Sequence, residues 1–161
     1  RLNKIQTSGL AQFVPSKTAT SDEYTITIPR LNIINLNVGR ANPYDGKGAL
    51  KLLDNFALGH YLSPPGSGRK LVLFGHSWGY DWYRSPYKSI LEKIDQLQAG
   101  DMIYINYQER GYVYSMYKNE IIPEKSDGVI MNNPEKNELA LYTCWPLNTT
   151  KNRYVIYGKP V

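Results

Sequence analysis

The chain has 161 residues, enough for one domain with a real core and too few to argue for two. Its single cysteine excludes an intramolecular disulfide, leaving Cys144 a free thiol, and with two histidines it offers no structural zinc spacing. The net charge of +5 comes from lysines and arginines scattered without a cluster or nucleic-acid motif, so no nucleic-acid partner is expected.

Residues 1–22 are polar and mixed and read as a tail or linker ahead of a single domain over 23–161. "EYTITIPRLNIINLNV" alternates branched or aromatic residues with polar ones on either side of Pro29, predicting two short strands around a bend. Residues 49–58, "ALKLLDNFAL", carry apolar residues at helical spacing. Pro64, Pro65, Gly66 and Gly68 mark a loop, and 70–75 form a continuous apolar run that predicts a buried strand. "SPYKSILEKIDQLQAGD" puts Ile90, Leu91, Ile94 and Leu97 on one face before a glycine, the pattern of a helix with a stop signal. The rest alternates with a period of two, in "DMIYINY", "GYVYSMYKNEIIP", "NELALYTC" and "RYVIYGKPV", the first two joined as a hairpin. Many short strands with few helices predict a mainly antiparallel barrel or sandwich. No stretch reaches the roughly 18 to 20 apolar residues of a transmembrane helix.

Such a composition offers few ways to build a nucleophile with a proton partner. "GHSWG" around Ser77 lacks the glycine spacing of a nucleophile elbow, which leaves Cys144 with His60 or His76. A lone cysteine closing an apolar strand is most often a small buried hydrophobe, and a lone histidine a structural hydrogen-bonding group. Joint placement shifts the weighing. His76 follows one strand, Cys144 ends another and Arg153 begins a third, and antiparallel pairing across the short loop would set Arg153 beside Cys144.

These residues carry a resemblance. "LALYTC" resembles the strand ending in Leu-x-Thr-Cys of the sortases, "LVLFGHSWGYDWY" their strand and Gly-His loop, and "NRYVIYG" their strand-initiating arginine. "YTITIPRLNIINLNV", "LDNFALGHYLSPPGSGRKLVLFGH" and "LQAGDMIYINY" are similar to further segments of that family in the same order, from about Tyr24 to the C-terminus. The resemblance implies a mainly β fold, a closed eight-stranded sortase-type barrel with a few short helices. It implies Cys144 as nucleophile, His76 as general acid and base, and Arg153 as the cation at the oxyanion. Thr143 would assist the oxyanion and His60 would line the site. Trp78 or Trp145 would supply a groove wall, unless the rings of the 78–87 loop only pack it onto the barrel.

The implied reaction cleaves a Leu-Pro-x-Thr-Gly-like sorting signal through a thioacyl enzyme and passes the acyl group to an amine of peptidoglycan or of a pilin lysine. It needs no metal or cofactor. The implied place is outside the cytoplasmic membrane of a bacterium, tethered through an anchor absent from this chain. The short "WPLNTTKN" loop between Cys144 and Arg153 resembles class D and E members, and "ANPYDG" at 41–46 is unlike the Asp-Pro-aromatic lid of many pilin polymerases. Two other readings use the same fold: an inert binding module, and a cysteine peptidase with water as acceptor.

Overall fold

The computed structural model describes residues 3–7, 10–14 and 23–161. The tail expected over residues 1–22 lies partly outside the described residues. Within it β1 (Asn3–Thr7) pairs antiparallel with β2 (Leu10–Val14) as a separate two-stranded sheet.

From residue 23 onward the alternating segments become strands, as their two-residue period requires. They are β3 (Tyr24–Ile28), β4 (Ile33–Arg40), β5 (Leu58–Leu62), β6 (Leu71–Phe74), β7 (Met102–Tyr107), β8 (Arg110–Pro123), β9 (Leu139–Trp145) and β10 (Asn152–Pro160). These eight close into a barrel in the order β10-β8-β7-β3-β4-β5-β6-β9, as expected. All neighbours pair antiparallel except β4 with β5 and β6 with β9.

Strand alternation divides the apolar residues into two clusters. Ile26, Leu58, Leu73, Ile103, Ile105, Leu141 and Ile156 fill the barrel interior. Val72, Phe74, Tyr142, Val155 and Tyr157 face outward from β6, β9 and β10 and pack with Ala49, Leu53 and Ile130. Two short elements cover this outer face. One is α1 (Gly46–Leu53), whose N-cap Asp45 accepts a hydrogen bond from the Gly48 amide at 3.2 Å. The other is a 3-10 segment, Glu124–Met131, in a stretch where no helix was expected.

The helix expected at 85–101 is instead a run of turns ending in a 3-10 segment at Ile94–Gln96. Its amides bond three residues back, as from Ile90 to Tyr87, Ile94 to Leu91 and Leu97 to Ile94. Leu91, Ile94 and Leu97 recur every three residues, and that spacing fits a 3-10 period when all three must enter the interior cluster. The apolar face was read correctly and its winding was not. The first helix also ends earlier than its apolar spacing suggested, because Ala57 and Leu58 are claimed by the barrel.

Candidate active site

Three adjacent strands assemble the site. β6 and β9 run parallel with Phe74 opposite Tyr142, so both chains leave the barrel at the same end. His76 stands two residues beyond Phe74, as Cys144 stands two beyond Tyr142. On the other side of β9 the antiparallel register with β10 sets Arg153 opposite Cys144. Side chains two apart share a face, so Cys144 and Arg153 continue the outward row of Tyr142 and Val155. His76 and Cys144 line one cavity of about 500 Å³ with Leu50, Ser77, Trp78 and Tyr80.

The loop that carries His76 is tied down at its start. Gly75 passes so close to β5 that a side-chain carbon there would lie 2.6 Å from Leu58 Cδ2 and 3.2 Å from the Ala57 carbonyl. The Thr143 hydroxyl donates to the Gly75 carbonyl at 2.6 Å, and Ser77 Oγ donates to the Cys144 carbonyl at 2.7 Å. The residues flanking His76 are therefore bonded to Cys144 and to the residue preceding it. His76 Nε2 lies 3.1 Å from the Tyr83 hydroxyl, which donates to Asp54 Oδ1 at 3.0 Å.

Electrostatics at rest favours a neutral pair. Burial pushes the Cys144 thiol up, Arg153 opposes that, and the carboxylates of Glu124 and Asp127 add to it. Burial also lowers the His76 imidazole, against the pull of Asp54. Both shifts act against the thiolate and the imidazolium. The Arg153 guanidinium is itself held in place. It donates to the carbonyls of Thr150 and Asn152 at 3.1 and 3.2 Å, and lies 3.6 Å from Asp127 and 3.9 Å from Glu124.

A family model described as the sortase domain matches residues 26–161. The chain belongs to the sortase family. This sortase is 28% identical over 109 residues to Sortase D of Bacillus subtilis (strain 168), an alignment covering 65% of this chain and 50% of that protein. It is 26% identical over 128 residues to Sortase SrtE2 of Streptomyces coelicolor, covering 70% and 48%. It spans about half the length of these curated relatives. Among solved structures, a Clostridium perfringens Sortase D5 transpeptidase superposes with a TM-score of 0.66 at 22% identity, over 87% of this chain and 79% of that one.

Not every residue that the resemblance nominated reaches the cavity. His60 on β5 pairs with Leu73 and shares its inward face; its ring packs edge-on against Tyr24 and its Nε2 meets the Ser63 carbonyl at 3.0 Å. The strand period thus turns His60 into the barrel, whereas a site-lining role would need the outer face. Thr143 faces inward as well, with its hydroxyl committed to Gly75, so that oxygen is not free for an oxyanion. Trp145 likewise points inward, its ring 5.1 Å from that of Tyr154. Of the two tryptophans, Trp78 lines the cavity and Trp145 does not.

Four residues to which the sequence reading gave no part in the chemistry support the three central ones: Ser77 bonds Cys144, Tyr83 meets His76, Asp127 pairs with Arg153, and Asp54 reaches His76 only through Tyr83. Ser77 was visible only as part of a failed serine motif. Asp54 and Asp127 lie in elements whose approach depends on the closed barrel, and no local pattern marks them.

Proposed function

We propose that this sortase is a cysteine transpeptidase that cleaves a Leu-Pro-x-Thr-Gly-like sorting signal and joins its acyl part to an amine. The placement of Cys144 directly across from Arg153 and in one cavity with His76 carries the reading. His76 takes the thiol proton as Cys144 Sγ bonds to the Thr carbonyl carbon, and the carbonyl oxygen becomes an oxyanion. The Arg153 guanidinium balances that charge. Collapse breaks the C–N bond, and the departing glycine amine takes the proton from His76, leaving a thioester. An incoming amine reverses the sequence: its proton goes to His76, a new C–N bond forms, the C–S bond breaks and the thiolate is reprotonated.

Trp78 offers a flat, partly exposed ring at the cavity wall for the leucine or proline of the signal. The amine comes from peptidoglycan or from a lysine of a pilin-like protein, and the enzyme works outside the cytoplasmic membrane, tethered by a segment of the full protein. No described helix is long and apolar enough to cross a membrane.

The test is mass spectrometry of the protein with a panel of Leu-Pro-x-Thr-Gly-like peptides, with and without an added amine. The expected result is an acyl adduct on Cys144 that moves to the amine and is absent from Cys144→Ala and His76→Ala. Release to water alone, with no transfer to any amine, points to a peptidase. A folded protein that forms no adduct with any peptide overturns the enzyme reading in favour of a binding module.

A further inference from the structure

Asp54 is an oddity of its element. It caps the C-terminal end of α1, where exposed carbonyls disfavour a carboxylate, and an acidic side chain there is locally the wrong sign. The loop after His76 returns to that same helix end and makes two bonds with it. Ser85 Oγ donates to the Leu53 carbonyl at 2.7 Å, satisfying one of the helix's orphan acceptors, and the Tyr83 hydroxyl donates to Asp54. Between these anchors Tyr83 meets His76 twice, by ring and by oxygen. The two rings stand edge to face at 89° with centroids 5.4 Å apart, and the hydroxyl lies 3.1 Å from Nε2.

Proton counting decides the direction of that last bond. A tyrosine hydroxyl has one proton, and here the Asp54 carboxylate accepts it. Toward His76 the oxygen can then only accept, so Nε2 carries a proton and Nδ1 of the neutral ring keeps its lone pair. We propose that Tyr83, held by Asp54, is a positioning residue that fixes the tautomer of His76 and so selects Nδ1 as the nitrogen that exchanges protons with the Cys144 thiol and the leaving amine.

The inference rests on the proposed role of His76 as acid and base. When Nδ1 gains the thiol proton, the imidazolium keeps its bond to Tyr83, and the Asp54 carboxylate lies one hydroxyl away to balance the new charge. The titratable groups around His76 are Tyr83 from its own loop, Tyr80 in the cavity wall, Asp54 from the end of α1 and Cys144 from β9. Of these, Asp54 raises the His76 pKa against the effect of burial. Burial and the Asp54 contact push the Tyr83 hydroxyl up to about 12, so it stays a donor to Asp54 across the working range.

The test needs no peptide. Long-range nitrogen NMR of the histidine rings in the free protein reports the tautomer and pKa of His76, and iodoacetamide alkylation against pH reports the readiness of Cys144 to lose its proton. The expected wild-type result is a neutral His76 protonated on Nε2. Tyr83→Phe keeps the ring contact and should convert that signal to a tautomer mixture, with alkylation near neutral pH slowed several-fold. Asp54→Asn still accepts the Tyr83 proton and should keep the tautomer while lowering the His76 pKa, shifting the acid limb of the alkylation profile downward. Wild-type His76 protonated on Nδ1 overturns the proposal, as does a folded Tyr83→Phe with unchanged tautomer and alkylation. Should Tyr83→Phe lose its circular-dichroism signature, Asp54→Asn decides alone, and an unchanged His76 pKa overturns the proposal. These readouts stand apart from the adduct experiment, so an inactive enzyme with the expected tautomer fails only the functional reading.

Discussion

Cys144 and Arg153 are held by the register of a continuous strand ladder, whereas His76 is held by separate bonds along its loop, from backbone and side chains alike. The first pair sits in an antiparallel ladder that runs from Asn152 opposite Trp145 to Gly158 opposite Leu139, so shifting either residue means slipping a whole strand past a buried face. His76 sits beyond the end of β6, where the regular ladder has stopped; its carbonyl accepts from the Leu91 amide at 2.9 Å, the Gly75 amide donates to the Tyr142 carbonyl at 3.3 Å, and the side chains of Thr143, Ser77 and Tyr83 add the remaining bonds. The nucleophile and the cation thus share one ladder, and the proton carrier stands on a loop beyond it. A ring that must exchange protons with a thiol and then with an amine is better served by a loop whose position a few hydrogen bonds can tune.

The sharpest break of the register-held half is Arg153→Lys. It keeps the charge and the strand, but an ammonium has no planar fork to meet the Thr150 and Asn152 carbonyls while facing an oxyanion. A fall in kcat of about 10²-fold to 10³-fold is expected, the size seen when one oxyanion donor is removed. Steady-state kinetics with a peptide that forms the adduct would read it, and a lysine variant within twofold of wild type removes Arg153 from the oxyanion.

The halves also differ in how visible they were in the sequence. The barrel strands, Cys144, Arg153 and the Gly-His after β6 could be read because alternation and strand order are local patterns with one geometric consequence. The winding of 85–97 was missed because Leu91, Ile94 and Leu97 fit a helical stripe almost as well as a three-residue one, and only the interior they enter separates the two. The β7–β8 turn falls where the hairpin was expected and is made by Gln108 and Glu109, both at positive φ. Family resemblance nominated His60, Thr143 and Trp145 by position along the chain; parity along β5 and β9 turns all three inward. Tyr83 and Asp54 are 29 residues apart, and nothing in either neighbourhood announces their meeting.

Thr143→Val tests the junction between the halves, since this residue belongs to β9 yet bonds the start of the His76 loop. The isopropyl group preserves the shape and strand preference but strips the donor from the Gly75 carbonyl. Leaving that acceptor unpaired should cost about 1–3 kcal/mol of unfolding free energy in a denaturant titration. A drop in kcat smaller than that of Arg153→Lys should accompany it, because the loop loosens while Cys144 and Arg153 stay in register. Unchanged stability together with unchanged turnover means the hydroxyl ties nothing down.

The smallest effect on turnover is expected at the other histidine. His60 is almost wholly buried, its Nδ1 finds no hydrogen-bond partner among the described residues, and burial, with Arg40 adding, lowers its pKa from 6.5 to about 4 against the bond to Ser63. The unfolded chain takes up a proton on this ring below pH 6.5 and the folded protein only near pH 4, so the unfolded state gains protons first as the solution is acidified. Stability is therefore full above pH 6.5 and falls between pH 6.5 and 4, by about 3 kcal/mol in total from this one group. His60→Gln can still donate to the Ser63 carbonyl and cannot titrate, so its unfolding free energy should be flatter across that window, with transfer activity near wild type. His76→Gln should do the reverse, abolishing transfer. Loss of transfer in His60→Gln with retention in His76→Gln would exchange the two roles. A His60→Gln variant as acid-sensitive as wild type would mean that the acid loss arises from other groups.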